Sequence, residues 1–243
     1  MWNGIAIVHM ARPPVNAIDI DLAGDLVEAL TRLESDPAAR AVVLAGEAGC
    51  FSAGLDLKVL PSYDREQQRE LLLTFGRALL RLYGFPRPVV GAIDGHAIAG
   101  GFILAIACDY RIGRRGDYEF GLTEVRVGIP FPYAPLELVR AELGREVTRR
   151  LVLTARTAGP EEALGWGALD ELHVTGEVDA RALEVARELA ALPPDTYRRT
   201  KRLLRERVIS RMEDAVERQL DPALSTWLTP EAAPAAARML EKD

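Results

Sequence analysis

Short, uninterrupted apolar runs that alternate with helical segments most constrain the fold of this chain. Three such runs lie at 4–10, 41–45 and 88–93. Continuous apolar character is typical of strands buried on both faces of a parallel sheet. Two segments between them, 20–33 and 67–83, carry apolar residues at helical spacing. This alternation predicts repeated β–α units, a largely parallel sheet and the α/β class.

Further along the chain, short elements precede a region in which helical patterns dominate. We predict a loop over 46–57, a helix over 99–107 and short strands over 110–112, 118–120 and 169–174. The helices predicted beyond residue 131 lie at 134–143, 145–153, 178–191, 195–208, 211–225 and 231–241. A length of 243 residues suits one sizeable domain or a domain with a small appendage. We divide the chain into a core of residues 1–195 and a helical C-terminal region of residues 196–243.

Charge, cysteine content and hydropathy exclude several functional classes. A net charge of −6 argues against a nucleic-acid-binding surface, which is normally basic. The two cysteines, Cys50 and Cys108, indicate free thiols in a reducing compartment rather than a disulfide framework. We see no signal-peptide pattern and no apolar run of roughly 18 to 20 residues, the length of a membrane span. We therefore expect a cytoplasmic protein without membrane or nucleic-acid partners. We also expect no metal, because the three histidines lack metal-ligand spacing.

Two loops of small residues carry the strongest functional signal. CFSAGLDL at 50–57 and GHAIAGG at 95–101 each follow a predicted buried strand. Glycine and alanine let the backbone approach a ligand closely, and the second loop opens a helix, where unpaired N–H groups favour negative charge. A pair of such turns is typical of an oxyanion hole. The alternative is that the glycines only allow tight packing of strand on helix.

Four motifs, in order, show a resemblance to a known family. They are RPPVNA at 12–17, FSAGLDL at 51–57, GHAIAGGFILAIACD at 95–109 and EFGLTEVRVGI at 119–129. Through them the chain resembles the enoyl-CoA hydratase/isomerase (crotonase) family over nearly its whole length. The resemblance implies ββα units around two nearly perpendicular sheets, and C-terminal helices that assemble a homotrimer or a hexamer (a dimer of trimers). It also implies an acyl-CoA thioester as substrate, so that coenzyme A is part of the substrate and no separate cofactor is needed.

The resemblance also implies which residues form the site. In the family two backbone N–H groups bind the thioester oxygen, and by motif position these belong to Leu55 and Gly100. The residues implied to contact substrate or coenzyme A are Ser52, Ala53, Gly54, Asp56, Leu57, Lys58, Ile103 and Tyr133. Lys58 matches a family position near the nucleotide, whereas Asp56 is also explained by a turn-holding role. Tyr133 is a candidate for the acyl pocket, with simple packing as the alternative, and bulky Phe131 and Tyr133 suggest a narrowed pocket.

The acids of the motifs point to one type of chemistry. Hydratases of the family use two glutamates, and the position of the first is occupied here by Ile103, which cannot hold or activate water. The second is retained as Glu124 within FGLTEVRVG at 120–128. One carboxylate beside an oxyanion hole suffices for a proton shuttle, and apolar walls would raise its pKa to suit both steps. This pattern resembles the Δ3,Δ2-enoyl-CoA isomerases, and we predict catalysis by Glu124.

Two alternatives stay open at this point. A hydratase or dehydratase could recruit its second acid from the 61–75 region, which offers Asp64, Glu66 and Glu70. A catalytically weak acyl-CoA-binding protein is the other alternative, with Ile103 as a sign of lost activity. Lys201 and Arg202, on a basic C-terminal helix, are weaker candidates than Lys58 for contacts with coenzyme A.

Overall fold

The apolar runs that alternate with helices form the larger of two sheets. The structure is a computed structural model that describes residues 4–47 and 49–240. Within these residues the larger sheet has five parallel strands, in the spatial order β1 (Ile5–Met10), β2 (Ala41–Gly46), β4 (Val89–Ile93), β6 (Tyr110–Arg114) and β9 (Glu171–His173). Every residue of β4, and all but the last of β2, is buried. The predicted α/β class and largely parallel arrangement are confirmed.

A second sheet is built from much shorter strands. In the described residues its order is β3 (Cys50–Ser52), β5 (His96–Ile98), β7 (Phe120–Gly121) and β8 (Thr157–Ala158). The first three strands are parallel, and β8 runs antiparallel to β7. The sequence predicted only a loop over 46–57 and no strands at β5 or β8. Runs of two or three residues are too short to show alternation, so pairing with neighbours in space defines these strands.

The helices that surround the sheets follow the apolar periodicity of the sequence. Those before the C-terminal region are α1 (Ile20–Ser35), α2 (Arg65–Tyr83), α3 (Gly100–Ala107), α4 (Tyr133–Glu142), α5 (Arg145–Thr154), α6 (Pro160–Gly165) and α7 (Val178–Ala190). Helix α2 begins at a capping box, in which the side chains of Asp64 and Gln67 each accept the other residue's backbone N–H. Helix α3 is buried along its whole length, as expected for a helix that is apolar on all sides.

The C-terminal region differs from the sequence prediction. Helices predicted over 195–208 and 211–225 are one continuous helix, α8 (Pro194–Val216), followed by a short 3-10 helix (Pro222–Leu224) and α9 (Ala232–Leu240). The chain between 195 and 221 contains no glycine or proline. The helix therefore continues through residues 209–210, where the prediction had placed a break. The division between 1–195 and 196–243 stays a prediction. None of the helices in the described residues is long and apolar enough to span a membrane.

Candidate active site

The three parallel strands of the smaller sheet bring the motifs together. Strand β3 leads into Leu55, β5 leads into Gly100, and β7 leads into Glu124. Because neighbouring parallel strands end at the same edge of a sheet, the residues that follow them converge there. Of the strands that position the site, β3 and β5 were not predicted from the sequence, and the strand predicted over 118–120 overlaps β7 only at Phe120.

A backbone bridge holds the loop that contains Leu55. The N–H of Ile18 donates to the Gly54 carbonyl over 2.7 Å, and the N–H of Asp56 donates to the Ile18 carbonyl over 2.9 Å. The N–H of Leu55, between these two bonds, has no acceptor among the described residues. Gly100 is the first residue of α3, a position whose N–H lacks an acceptor within its helix. Both amides are thus available to a ligand.

Close backbone contact joins the two loops. Gly54 has a φ of +84°, and a Cβ there would lie 2.8 Å from the Ile98 carbonyl oxygen and 2.9 Å from the Gly100 nitrogen. A Cβ on Gly101 would lie 2.1 Å from the carbonyl oxygen of Ser52. Side chains at these positions would separate the loops. The packing role of the glycines is therefore real, and it also sets the positions of the two amides.

Buried polar groups support the first loop. The Ser52 hydroxyl donates to the Asn16 carbonyl over 2.8 Å and accepts the N–H of Gly54 over 3.2 Å. The fully buried side-chain amide of Asn16 donates to the carbonyls of Glu47 and Cys50. Ser52 thus positions the loop. Asn16 belongs to the motif at 12–17, but its supporting role was missed because its acceptors lie more than 30 residues away.

The remaining predicted contacts lie around this loop. Asp56 is buried, forms a 2.7 Å ion pair with Arg12 and accepts the backbone N–H of Lys58, which agrees with a turn-holding role. The side chain of Lys58 is exposed, whereas Ala53 and Leu57 are half-buried. Their contacts with coenzyme A stay predictions.

Glu124 is a buried carboxyl group in apolar surroundings. It follows β7 at the start of a short 3-10 helix (Glu124–Val127) and is 6% exposed. Its Oε2 atom has no hydrogen-bond partner in the described part of the chain. Burial raises the pKa of Glu124 to about 8, and the backbone N–H groups of Glu124 and Thr123 offset this only in part. The group can therefore change protonation state near neutral pH.

Leu55, Gly100, Ile103 and Glu124 line one small cavity. Its volume is about 20 Å³, and its lining consists of Leu55, Leu71, Leu72, Phe75, Gly100, Ile103, Glu124, Ile129, Phe131, Pro132, Pro135 and Trp227. Among the residues that the structure describes, Glu124 is the one ionisable side chain in this lining. Among the described residues, the cavity lining therefore combines one carboxylate with two residues whose backbone N–H groups are available to a ligand.

Several predicted candidates lie outside the cavity. Asp64, Glu66 and Glu70 are all exposed near the start of α2. Tyr133 is 50% exposed and absent from the lining, whereas its neighbour Phe131 contributes to it. The structure thus does not bring these acids or Tyr133 to Glu124.

The basic candidates on α8 are also remote from the cavity. Lys201 is buried, with its Nζ 2.7 Å from Asp109, and Arg202 is exposed. In the described residues no cluster of three or more histidine, cysteine, aspartate or glutamate side chains could hold a metal ion.

Sequence reasoning missed the residues that enclose the far side of the cavity. Leu71, Leu72 and Phe75 come from the buried face of α2, and Trp227 comes from the chain between α8 and α9. The periodicity of α2 predicts that these three residues are buried, but it does not identify the part of the chain against which they pack. Trp227 lies more than 100 residues from Glu124, and no local pattern links the two.

Comparisons with known proteins agree with this geometry. Residues 1–232 match the family model described as enoyl-CoA hydratase/isomerase. A putative enoyl-CoA hydratase of Thermus thermophilus is 35% identical over 204 residues, which cover 82% of this chain and 80% of that protein. The mitochondrial enoyl-CoA delta isomerase 1 of Mus musculus is 31% identical over 205 residues, which cover 84% of this chain and 71% of that protein. In structure, human mitochondrial delta3-delta2-enoyl-CoA isomerase has a TM-score of 0.89 at 28% identity, covering 99% of this chain and 94% of that one.

Proposed function

The chain belongs to the enoyl-CoA hydratase/isomerase (crotonase) family, and from this premise we propose that it is a Δ3,Δ2-enoyl-CoA isomerase with Glu124 as its acid–base group. One observation carries the proposal. Among the described residues, Glu124 is the one ionisable side chain lining a cavity that also contains Leu55, Gly100 and Ile103. By motif position, Ile103 matches the place of the other acid of a hydratase.

The proposed reaction moves a double bond by proton transfer. The Glu124 carboxylate removes a proton from C2 of a 3-enoyl thioester, and the electron pair moves onto the thioester oxygen to give a dienolate. The N–H groups of Leu55 and Gly100 stabilise this oxygen, a contribution of about 3 kcal/mol per donor. Protonated Glu124 then delivers its proton to C4, which leaves a 2-enoyl thioester and restores the carboxylate.

The environment of Glu124 suits both halves of this cycle. A pKa of about 8 makes the carboxylate a stronger base than an exposed glutamate, and it means that both the acid and the carboxylate are populated near neutral pH. No cofactor takes part, since coenzyme A enters as part of the substrate. The apolar lining excludes competing polar groups from the intermediate.

Hydration of a 2-enoyl-CoA is the second candidate, favoured by the name of the Thermus relative. Syn-hydration uses two carboxylates to position one water. The lining provides one carboxylate, and the acids near the start of α2 lie at the surface. The site therefore supports isomerisation better.

Incubation of the full chain with 3-hexenoyl-CoA in deuterated water tests the proposal. We expect conversion to 2-hexenoyl-CoA and deuterium exchange next to the thioester. The variant Glu124→Gln should lower kcat by about 10²- to 10⁴-fold, the usual contribution of a general base. Calorimetric titration with a saturated acyl-CoA should show that affinity is retained, because the two amides remain. The exposed Glu66→Gln serves as the matched control and should keep full activity.

Other results would favour the alternatives. Faster water addition to 2-hexenoyl-CoA than isomerisation of 3-hexenoyl-CoA would indicate a hydratase. Binding without turnover, unchanged in Glu124→Gln, would indicate an acyl-CoA-binding protein.

Assembly and location form the rest of the proposal. We infer a homotrimer or a dimer of trimers, which sedimentation velocity of the full chain would measure. Leu203 and Leu204 support it, since these leucines on α8 are 73% and 82% exposed and suit a protein interface. A cytoplasmic location is supported by Cys50 and Cys108, which are both free thiols.

A further inference from the structure

The catalytic cavity is too small for a long acyl chain. Its volume of about 20 Å³ is close to that needed for one water molecule. Ile129, Phe131 and Trp227 lie on its apolar lining, and Ile129 and Trp227 are each less than 5% exposed. An acyl tail that extends beyond the reacting carbons therefore meets these apolar side chains.

The C-terminal segment, residues 221–240, holds this end in place. The Trp227 indole N–H donates to the Pro130 carbonyl over 3.0 Å, and the Thr229 hydroxyl donates to the Gly128 carbonyl over 3.2 Å. A Cβ on Gly128 would lie 3.2 Å from backbone atoms of Ala232, so the segment packs directly against the chain that follows Glu124.

A second cavity lies on the other side of Ile129. Its volume is about 170 Å³, and its lining consists of Leu57, Leu60, Pro61, Gln68, Ile129, Leu228, Thr229, Pro230, Ala232, Ala233 and Ala236. Ile129 lines both cavities, and the neighbours Trp227 and Leu228 line one cavity each. Ile129 and Trp227 also pack in the same apolar cluster. A thin apolar barrier thus separates the catalytic cavity from a larger space.

We propose that Ile129 and Trp227 determine acyl-chain length, and that they restrict the site to short acyl groups. The second cavity is the space that the tail of a longer chain would occupy if Ile129 were smaller. Its lining is apolar apart from Gln68 and Thr229, which suits a hydrocarbon tail. The inference rests on the proposed function for the identity of the ligand as an acyl-CoA.

The test compares chain-length preference in two matched variants. Ile129→Ala should join the cavities, and Val127→Ala removes a nearby buried aliphatic side chain that lines neither cavity. We expect the ratio of kcat/KM for 3-decenoyl-CoA to that for 3-hexenoyl-CoA to rise at least tenfold in Ile129→Ala. In Val127→Ala this ratio should remain at the wild-type value.

A binding measurement separates this inference from the proposed reaction. Calorimetric titration with butyryl-CoA and decanoyl-CoA reports length preference without turnover. A gain in relative decanoyl-CoA affinity in Ile129→Ala, together with no isomerase activity on any 3-enoyl-CoA, would overturn the proposed function and support the barrier. Equal wild-type affinity for the two ligands, or equal ratios in both variants, would overturn the barrier.

Two further variants keep the test decisive. If thermal unfolding shows that Ile129→Ala does not fold, Ile129→Val makes a smaller opening and should shift the affinity ratio in the same direction. In the Ile129→Ala background, Ala236→Leu refills the second cavity and should return the ratio towards the wild-type value. Failure of the refilled variant to lose decanoyl-CoA affinity would show that the tail does not enter this cavity.

Discussion

At the scale of single residues, the proposed chemistry depends on which side chains line the cavity that also contains Leu55 and Gly100. Ile103 and Glu124 line the same cavity, and the first offers no acid or base. The glycines act differently, since their value lies in the absence of a Cβ. Gly54 brings two backbone amides together because nothing projects from it. The site thus combines one ionisable side chain with glycine positions at which a Cβ would clash with the backbone of the neighbouring loop.

A methyl group at Gly54 should disrupt the oxyanion hole. In Gly54→Ala the new Cβ meets Ile98 and Gly100 at distances below 3.0 Å, and the φ of +84° disfavours alanine. We expect kcat for 3-hexenoyl-CoA to fall about 100-fold, comparable to the loss of one donor. Steady-state kinetics measures this.

The control for this change is another glycine. Gly24 lies inside α1 with nothing within 4 Å of an added Cβ. Gly24→Ala should leave kcat unchanged and stabilise the protein by about 0.5–1 kcal/mol, because alanine favours a helix interior. A similar loss of kcat in both variants would contradict the role given to Gly54.

At the scale of elements, a buried ionic cluster joins α8 to the larger sheet. Asp109 accepts the backbone N–H of Val89 at the start of β4, and it pairs with Lys201 at 2.7 Å and Arg205 at 2.8 Å. The Tyr197 hydroxyl donates to the same carboxylate. Burial lowers the pKa of Lys201, and the charge of Asp109 opposes this shift. Removal of the Asp109 carboxylate would take away the counter-charge of buried Lys201 and leave Arg205 with a longer, 3.9 Å contact with Glu142.

The variant Asp109→Asn tests this connection. We expect its free energy of unfolding to fall by about 3–5 kcal/mol, the usual cost of breaking a buried ion pair. Urea unfolding followed by circular dichroism measures the change. Asp195→Asn provides the matched control, because Asp195 pairs with Arg198 at the surface and should cost no more than about 1 kcal/mol. Equal effects of the two substitutions would show that the cluster does not stabilise α8.

At the scale of the whole molecule, the burial of Glu124, the proposed acid–base group, opposes stability. The folded chain holds a proton on Glu124 up to a pKa of about 8, whereas an unfolded glutamate loses it near pH 4.3. Between these values the folded state binds more protons than the unfolded state. The contribution of Glu124 to the free energy of unfolding therefore falls as pH rises through this window, and it is constant above and below it.

The variant Glu124→Gln should remove this dependence. Its stability relative to the wild type should increase between pH 5 and pH 8.5, by on the order of 3 kcal/mol. Denaturant unfolding at the two pH values measures the difference. The exposed Glu66→Gln should show a much smaller change. A Glu124→Gln difference that is independent of pH would mean that Glu124 ionises equally in both states.

The sequence by itself determined the fold class, and it marked Glu124 and the glycine loops as candidates for the site. The α/β class followed from continuous apolar runs, which report burial on both faces of a strand. The identities of Glu124 and Ile103 follow from their places in motifs, and Gly54 signalled a close backbone approach. These are local properties, because composition and periodicity reflect what each short segment needs.

Only the tertiary structure decided which distant segments meet. Strands β3 and β5 are too short to be recognised alone, and the strand predicted over 118–120 shares only Phe120 with β7. These strands are defined by their pairing, so the convergence of Leu55, Gly100 and Glu124 was not visible locally. The placement of Trp227 over the cavity depends on contacts across about 100 residues. The structure likewise shows that Glu124 is buried, whereas the acids near the start of α2 are exposed. Burial and cavity volume arise from the packing of the whole chain, and no single segment encodes them.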